Sequence, residues 1–358
     1  MILTKKEILD ILNAKNSEII HYMVENELYN EITYSKNIFI PLTEICKNNC
    51  GYCNFKKTSD DPDAVILKSK KEILHLLKEG EKYGCKEALF TFGEDADSDE
   101  VVKDKLKKYG YSNMTEYIYD VCQMTLDKTS LIPHTNGGNY SFDDLKLLKE
   151  VNASMGMMLE NSSERLMKLP AHCKSPGKDP KKRIETIKNA GKLKIPYTTG
   201  ILIGIGETKE EIADSLLTIK DISEEYGHIQ EVIIQNFTPI EGTEMENTPT
   251  PTLFDMMRCV IAASMLFSDT DISIQVPPNL NKTTAQIFLL CGCDDWGGVS
   301  PVSPDYVNIT SPWPEIDELE KITQDAGFKL NERLCVYDKF INDEWLSKKV
   351  LDNVSNIS

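Results

Sequence analysis

The residues best suited to chemistry are three cysteines in one short polar stretch, Cys46-Lys-Asn-Asn-Cys50-Gly-Tyr-Cys53. Their C-x3-C-x2-C spacing puts three thiols within reach of one metal centre. Free structural cysteines usually sit singly among apolar neighbours, whereas these lie among Lys47, Asn48, Asn49, Asn54 and Lys56. Structural zinc is normally closed by four protein ligands, often as two C-x2-4-C pairs, and the next thiol is as far off as Cys85. Three thiolates suit an iron-sulfur cluster with one iron free of protein, because fully ligated electron-transfer clusters use four. Such an open iron can bind a substrate or a second cofactor.

Composition narrows what surrounds this centre. The chain has 358 residues, 41% of them hydrophobic, enough for one large α/β domain with additions at its ends. No run approaches the roughly 20 apolar residues of a membrane span, and the first residues lack a signal-peptide pattern. Ten cysteines without a secretory signal imply a reducing cytoplasm. A net charge of -17 argues against nucleic acid as a partner, since binding phosphates needs a basic surface.

Strands and helices alternate along the chain. Residues 1–34 read as a helical N-terminal extension, with Thr4 and Glu7 as a capping box. A strand over 37–45, interrupted by Pro41, leads into the cysteine loop. Helix 69–83 then precedes strand 87–92, a long acidic loop spans Asp95 to Gly110, and a helix near 114–127 leads to strand 131–135. Helix 142–150 leads to strand 155–159. Asp179 caps a helix with Pro180 at its first position and Gly191 at its close, before strand 197–203. Thr208 and Glu211 open the next helix, strand 231–237 follows, and helix 252–267 precedes strand 271–276. A helix near 283–290 leads to a weak eighth strand over 292–298. Eight strands interleaved with helices predict an α/β fold, a (β/α)8 barrel over residues 35–311, favoured over an open (β/α)6 crescent. Residues 312–358 read as a closing helix and a C-terminal appendage.

In parallel barrels, chemistry sits at the C-terminal ends of the strands. His134 and His172 are candidate proton carriers near such ends, and Cys291 and Cys293 form a pair more typical of structural thiols.

The cysteine spacing, with aromatic Tyr52 before the last cysteine, resembles the radical S-adenosylmethionine (SAM) enzymes. The resemblance implies a 4Fe-4S cluster held by Cys46, Cys50 and Cys53 whose open iron chelates SAM. It also implies an external one-electron reductant and a 5'-deoxyadenosyl radical that abstracts hydrogen from a small-molecule substrate. Gly93-Glu94 resembles the Gly-Gly-Glu element that contacts the SAM amino group in that superfamily, with Phe92 in place of the first glycine. By the same resemblance Glu160 reaches the SAM ribose or amine, Arg165 pairs with its carboxylate, Gly204 lies against adenine, and Tyr52 offers adenine backbone contacts.

Further stretches are similar to one branch of the superfamily: Phe90-Thr-Phe-Gly-Glu94, Pro133-His-Thr-Asn-Gly-Gly138, Met157-Met-Leu-Glu-Asn161, Gln235-Asn-Phe237, Pro277-Pro-Asn-Leu280 and Asp294-Asp-Trp-Gly-Gly298. They resemble the 7,8-didemethyl-8-hydroxy-5-deazariboflavin (FO) synthase family, specifically its ring-closing subunit. That resemblance implies cyclisation of a hydroxybenzyl-ribityliminouracil adduct with loss of ammonia, and a sister subunit as a partner. Gln235, Asn236, Asn279, Asp294 and Asp295 become candidates for reading the uracil and ribityl groups. The sister reaction, coupling tyrosine to a diaminouracil, and the futalosine-pathway cyclisation share much of the pattern. A non-enzymatic metal or redox protein is the alternative of another class.

Overall fold

The computed structural model describes residues 3–26, 28 and 30–357. Met1, Ile2, Glu27 and Tyr29 of the N-terminal extension, and Ser358 of the appendage, lie outside the described residues. Eight parallel strands carry the fold: β1 (Glu31–Pro41), β2 (Glu87–Thr91), β3 (Ile132–Asn136), β4 (Ser154–Gly156), β5 (Tyr197–Ile203), β6 (Ile229–Asn236), β7 (Ser273–Gln275) and β8 (Asp295–Val299). Each pairs with the next, and β1 pairs with both β2 and β8, so the sheet closes into a barrel. The weak eighth strand thus decides between barrel and crescent, through the Gln275–Asp295 pairing on one side and Thr33–Asp295 on the other.

Helices α1 (Lys5–Asn13) and α2 (Ile19–Glu25) precede the barrel. Around it lie α3 (Lys70–Lys82), α4 (Glu100–Tyr109), α5 (Met114–Lys128), α6 (Phe142–Lys149), α7 (Pro180–Lys192), α8 (Lys209–Tyr226), α9 (Leu253–Phe267) and α10 (Ala285–Leu290). The predicted capping boxes at Thr4 and Thr208 are present, joined by others at Ser69, Ser141 and Thr252. Each satisfies orphan backbone donors at a helix start.

The structure differs from the sequence reading at several elements. Strand β1 starts at Glu31, well before Asn37, and ends at Pro41. The acidic stretch after β2 is not simply a loop: Asp99 accepts the N–H groups of Val101 and Val102, Val102 and Leu106 bury one face, and Gly110 stops α4. Charges on its solvent face masked that short amphipathic pattern. Gly191 lies inside α7, where a Cβ would come within 2.6 Å of Tyr226 on α8, so glycine serves a close helix approach there.

The C-terminal residues form α11 (Ile316–Asp325), a ninth strand β9 (Lys329–Arg333) and α12 (Lys348–Ser355). β9 pairs in parallel with the first half of β1 and carries Arg333 to the N-terminal end of the barrel. There its guanidinium meets Asp295 at 2.5 Å and Glu231 at 3.1 Å, and Tyr337 donates to Asp295 at 2.8 Å. Burial and the Arg333 charge together push His134 down to about 3. Among the described residues no helix is long and apolar enough to cross a membrane.

Candidate active site

The strands' C-terminal ends surround a cavity of about 340 Å³, lined among others by Phe39 of β1, Asn136 of β3, Leu202 of β5, Gln235 and Asn236 of β6 and Gln275 of β7. Such a volume suits one small molecule or the reacting parts of two. Cys46, Cys50, Cys53 and Tyr52 all belong to its wall.

The cysteine loop is held by its backbone. Lys47 N–H donates to the Glu94 carbonyl at 2.9 Å, Gly51 N–H to that of Ala171 at 3.0 Å, and Met245 N–H to the Gly51 carbonyl at 2.9 Å. Beneath it lies a small apolar cluster that includes Leu166, Ala171, Leu202 and Phe237, with Tyr52 packed against it. Gly93 makes the approach possible, because a Cβ there would fall 1.9 Å from the Ile45 carbonyl oxygen. Its backbone therefore abuts the start of the cysteine loop, and any side chain would push the loop away.

Burial pushes the Cys46 thiol up to about 11 and raises Cys53, and the neighbouring thiols add to both shifts. Bringing several thiolates to one wall therefore calls for positive charge, which a bound metal centre supplies. Among the described residues no three Cys, His, Asp or Glu side chains converge on the position of a single metal ion. Three thiols on one cavity wall match the three-cysteine holding of a cluster with one iron free of protein.

Two buried carboxylates share this wall with the buried Arg183 and the half-buried Lys178. Glu94 accepts from Asn48 Nδ2 at 2.8 Å and from Asn139, and Arg183 Nη2 stands 3.5 Å from it. Glu160 accepts from Lys178 Nζ at 2.5 Å. Burial alone would raise the Glu160 carboxyl, but Lys178 and Arg183 outweigh it and hold it below its usual range. Lys178, which burial and Arg183 push down, is held above its own by Glu160. Glu160 also adopts φ of +63°, the left-handed region that a non-glycine residue enters at a cost, as its N–H donates to the Gly200 carbonyl. Alternating carboxylates and cations beside the thiols can hold a zwitterion, its ammonium on the former and its carboxylate on the latter.

The radical SAM superfamily model matches residues 40–219. The 7,8-didemethyl-8-hydroxy-5-deazariboflavin synthase of Methanobrevibacter smithii is 70% identical over 92% of this chain and 97% of its own length. That of Methanocaldococcus jannaschii is 54% identical over 98% of both. The chain belongs to the FO synthase family of radical SAM proteins. Among solved structures, the FeFe-hydrogenase maturase HydG from Carboxydothermus hydrogenoformans matches 94% of the chain and 77% of its own, at a TM-score of 0.73 and 16% identity. Methylornithine synthase matches 92% and 95% at 0.71 and 16%. At such identities they show a shared fold. Membership of the FO synthase family brings with it the 4Fe-4S cluster and SAM.

Within this FO synthase barrel the predicted residues divide into two groups. Cys46, Cys50, Cys53, Tyr52, Gly93, Glu94, Glu160, Gln235, Asn236 and Asn279 all line the one cavity. Arg165 does not: its exposed guanidinium is tied to Glu211 at 2.8 and 2.6 Å and to the Gly206 carbonyl at 2.6 Å. Gly204 is not part of that wall, and its N–H is given to Glu207 at 2.7 Å. Asp294 and Asp295 sit at the opposite end of the barrel, because β8 begins at Asp295 and its C-terminal end is Val299. Cys291 and Cys293 are buried near that end too, with Cys293 donating to the Asp295 carbonyl at 3.3 Å. His134 hydrogen-bonds Ser154 at 2.7 Å, and His172 the Tyr52 hydroxyl at 3.1 Å.

Sequence reasoning missed Asn48, Lys178, Arg183, Gln275, Asp305 and Trp313, all in the cavity wall. For Lys178 and Arg183 a signal existed: Pro176-Gly-Lys-Asp-Pro180 marks a tight turn into α7, which brings a loop cation and one near the helix start to the same end of the helix. Asp305 and Trp313 lie in an irregular loop with no periodicity to read.

Proposed function

We propose that this chain forms FO from 5-amino-5-(4-hydroxybenzyl)-6-(D-ribitylimino)-5,6-dihydrouracil, with release of 5'-deoxyadenosine, methionine and ammonia. The observation that supports this most is that the three thiols, the carboxylate–cation pairs and the amides of Gln235, Gln275 and Asn279 all open on one cavity. Its relatives carry the name of that synthase over nearly their whole length.

Cys46, Cys50 and Cys53 would hold the cluster, and Glu94, Glu160, Lys178 and Arg183 the amino-acid end of SAM. When bound, the cluster and SAM supply one-electron reductive cleavage and the radical that abstracts hydrogen from the adduct. Ring closure onto the phenol would then expel ammonia, and the two electrons and two protons that the adduct loses overall would be balanced by the two electrons and one proton taken up as SAM becomes 5'-deoxyadenosine and methionine, one proton being released. The chain's own contribution is placement. Phe39, Met157, Met158 and Phe237 make the wall apolar and keep water from a reactive radical, while the strand-end amides orient the polar heterocycle. An external reductant and a cytoplasmic setting belong to the same proposal, as does a sister subunit that supplies the adduct.

The test is an anaerobic assay of the reconstituted enzyme with SAM, reductant and the adduct, read by FO fluorescence. FO formation supports the proposal. Turnover of tyrosine plus the ribityl diaminouracil, with none of the adduct, assigns the chain to the sister reaction and overturns it.

A further inference from the structure

The loop between β8 and α11 contributes Asp305, Asn308 and Trp313 to the cavity wall, and Tyr306 packs edge-on against Phe39 with ring centroids 5.6 Å apart. Asp305, only 4% exposed, organises this loop. Its Oδ1 accepts the N–H groups of Val307 and Asn308, each at 2.9 Å. Its Oδ2 accepts from Asn308 Nδ2 at 3.0 Å and from Asn279 Nδ2 at 2.8 Å.

The other hydrogen of the Asn279 amide goes to the Ser311 carbonyl at 3.0 Å. Both of its N–H donors are thus committed to the loop, which fixes which way the amide is turned. Its oxygen is left buried with no partner. On the same loop the Trp313 indole N–H is also buried and unpartnered. Buried polar groups without partners are costly and uncommon in folded proteins. Here one is an acceptor and the other a donor, both on residues of one cavity wall. A ligand that presents an N–H beside a carbonyl, the edge of a cyclic imide, carries the complement of each.

We propose that Asn279 and Trp313 form a subsite for the imide edge of a pyrimidinedione, with Asp305 as the positioning residue that turns the Asn279 amide. This rests on the deazaflavin reading, which supplies a ligand of that chemistry; Asn279 Oδ1 accepts the imide N–H and Trp313 Nε1 donates to the adjacent carbonyl.

The probe is equilibrium binding of FO and of its N3-methyl derivative, which lacks the imide hydrogen, to the reconstituted enzyme, followed by FO fluorescence. Wild type binds FO about tenfold tighter than the methyl derivative, the scale of one buried hydrogen bond left unmade. Asn279→Leu brings that ratio close to one. Trp313→Phe keeps the ring, weakens both ligands about fivefold and leaves the ratio standing. Asp305→Asn lowers the ratio by freeing the amide to turn. A wild type that does not distinguish the ligands, or an Asn279→Leu enzyme that distinguishes them as wild type does, overturns the subsite. An enzyme that makes FO while failing this comparison keeps its proposed reaction and loses only the subsite. One that passes it without making FO keeps the subsite and loses the reaction.

Discussion

At the scale of single residues, the buried Glu160–Lys178 and Glu94–Arg183 pairs matter more than the exposed cations around them. A charge left alone after its partner is removed from a buried site is heavily penalised, whereas an exposed pair is worth little. Glu160→Gln is therefore predicted to weaken SAM binding at least tenfold while iron content stays at the wild-type level, and Arg165→Ala to leave affinity within about twofold. Calorimetric titration of SAM into the reconstituted variants checks both, and equal affinities for Glu160→Gln and wild type contradict the first. His134 gives a pH-dependent prediction. Its ring stays neutral in the fold: Ser154 spends its own hydroxyl proton on the Cys335 carbonyl at 2.7 Å and so accepts from Nδ1–H. Its folded value of about 3 lies below the ordinary 6.5, so its contribution to stability is complete above pH 6.5 and is lost as pH falls. Stability should drop by about 1.4 kcal/mol per pH unit between pH 6 and 4 from this group. His134→Gln should remove that part of the slope in denaturant titrations; identical slopes would contradict the burial argument.

At the scale of elements, the decisive contact is between the end of β2 and the cysteine loop. Gly93→Ala places a methyl against the Ile45 carbonyl and should displace the loop, with loss of bound iron and more than about 3 kcal/mol of stability. Gly110→Ala is the comparison: it has φ of +91° and open space around it, so it should cost about 1 kcal/mol with iron unchanged. Iron content and unfolding free energy measured together separate the two. Sequence signals served well wherever one residue marks one boundary, as with the caps at Thr4, Asp179 and Thr208. They served poorly where position depends on how the chain folds back. The segment between Glu160 and α7 returns across the barrel mouth, so the cation that reaches Glu160 is Lys178, while Arg165, closer in sequence, turns to Glu211. A glycine-rich strand such as β8 likewise gives no sign of its first residue, and a few residues of register carried Asp294 and Asp295 from the expected mouth of the barrel to its other end.

At the scale of the whole molecule, the C-terminal residues add a strand to the barrel that β1 and β8 have already closed. β9 brings Arg333 to the buried carboxylates Asp295 and Glu231. Burial pushes Glu231 up to about 8 even with that guanidinium beside it. Arg333→Met should lower stability by about 3–5 kcal/mol, and adding Asp295→Asn should recover part of the loss, because the uncompensated charge goes with it. Thermal unfolding of the two variants measures this; a single variant as stable as wild type would contradict a stabilising role for Arg333. The alternation of strands and helices made the closed barrel legible from sequence. The charge cluster at its base was not, since Glu87, Glu231, Asp295 and Arg333 converge only once the barrel has closed. The proposed reaction depends on Cys46, Cys50 and Cys53 holding a cluster at the cavity in which FO is formed. The measurement that bears on it most directly is iron content, 5'-deoxyadenosine release and FO fluorescence together, in wild type and in the triple Cys→Ala variant. Wild type should bind about four irons at this site and release 5'-deoxyadenosine and FO; the variant should do none of these. A triple variant that still cleaves SAM and yields FO would remove these three cysteines from the reaction.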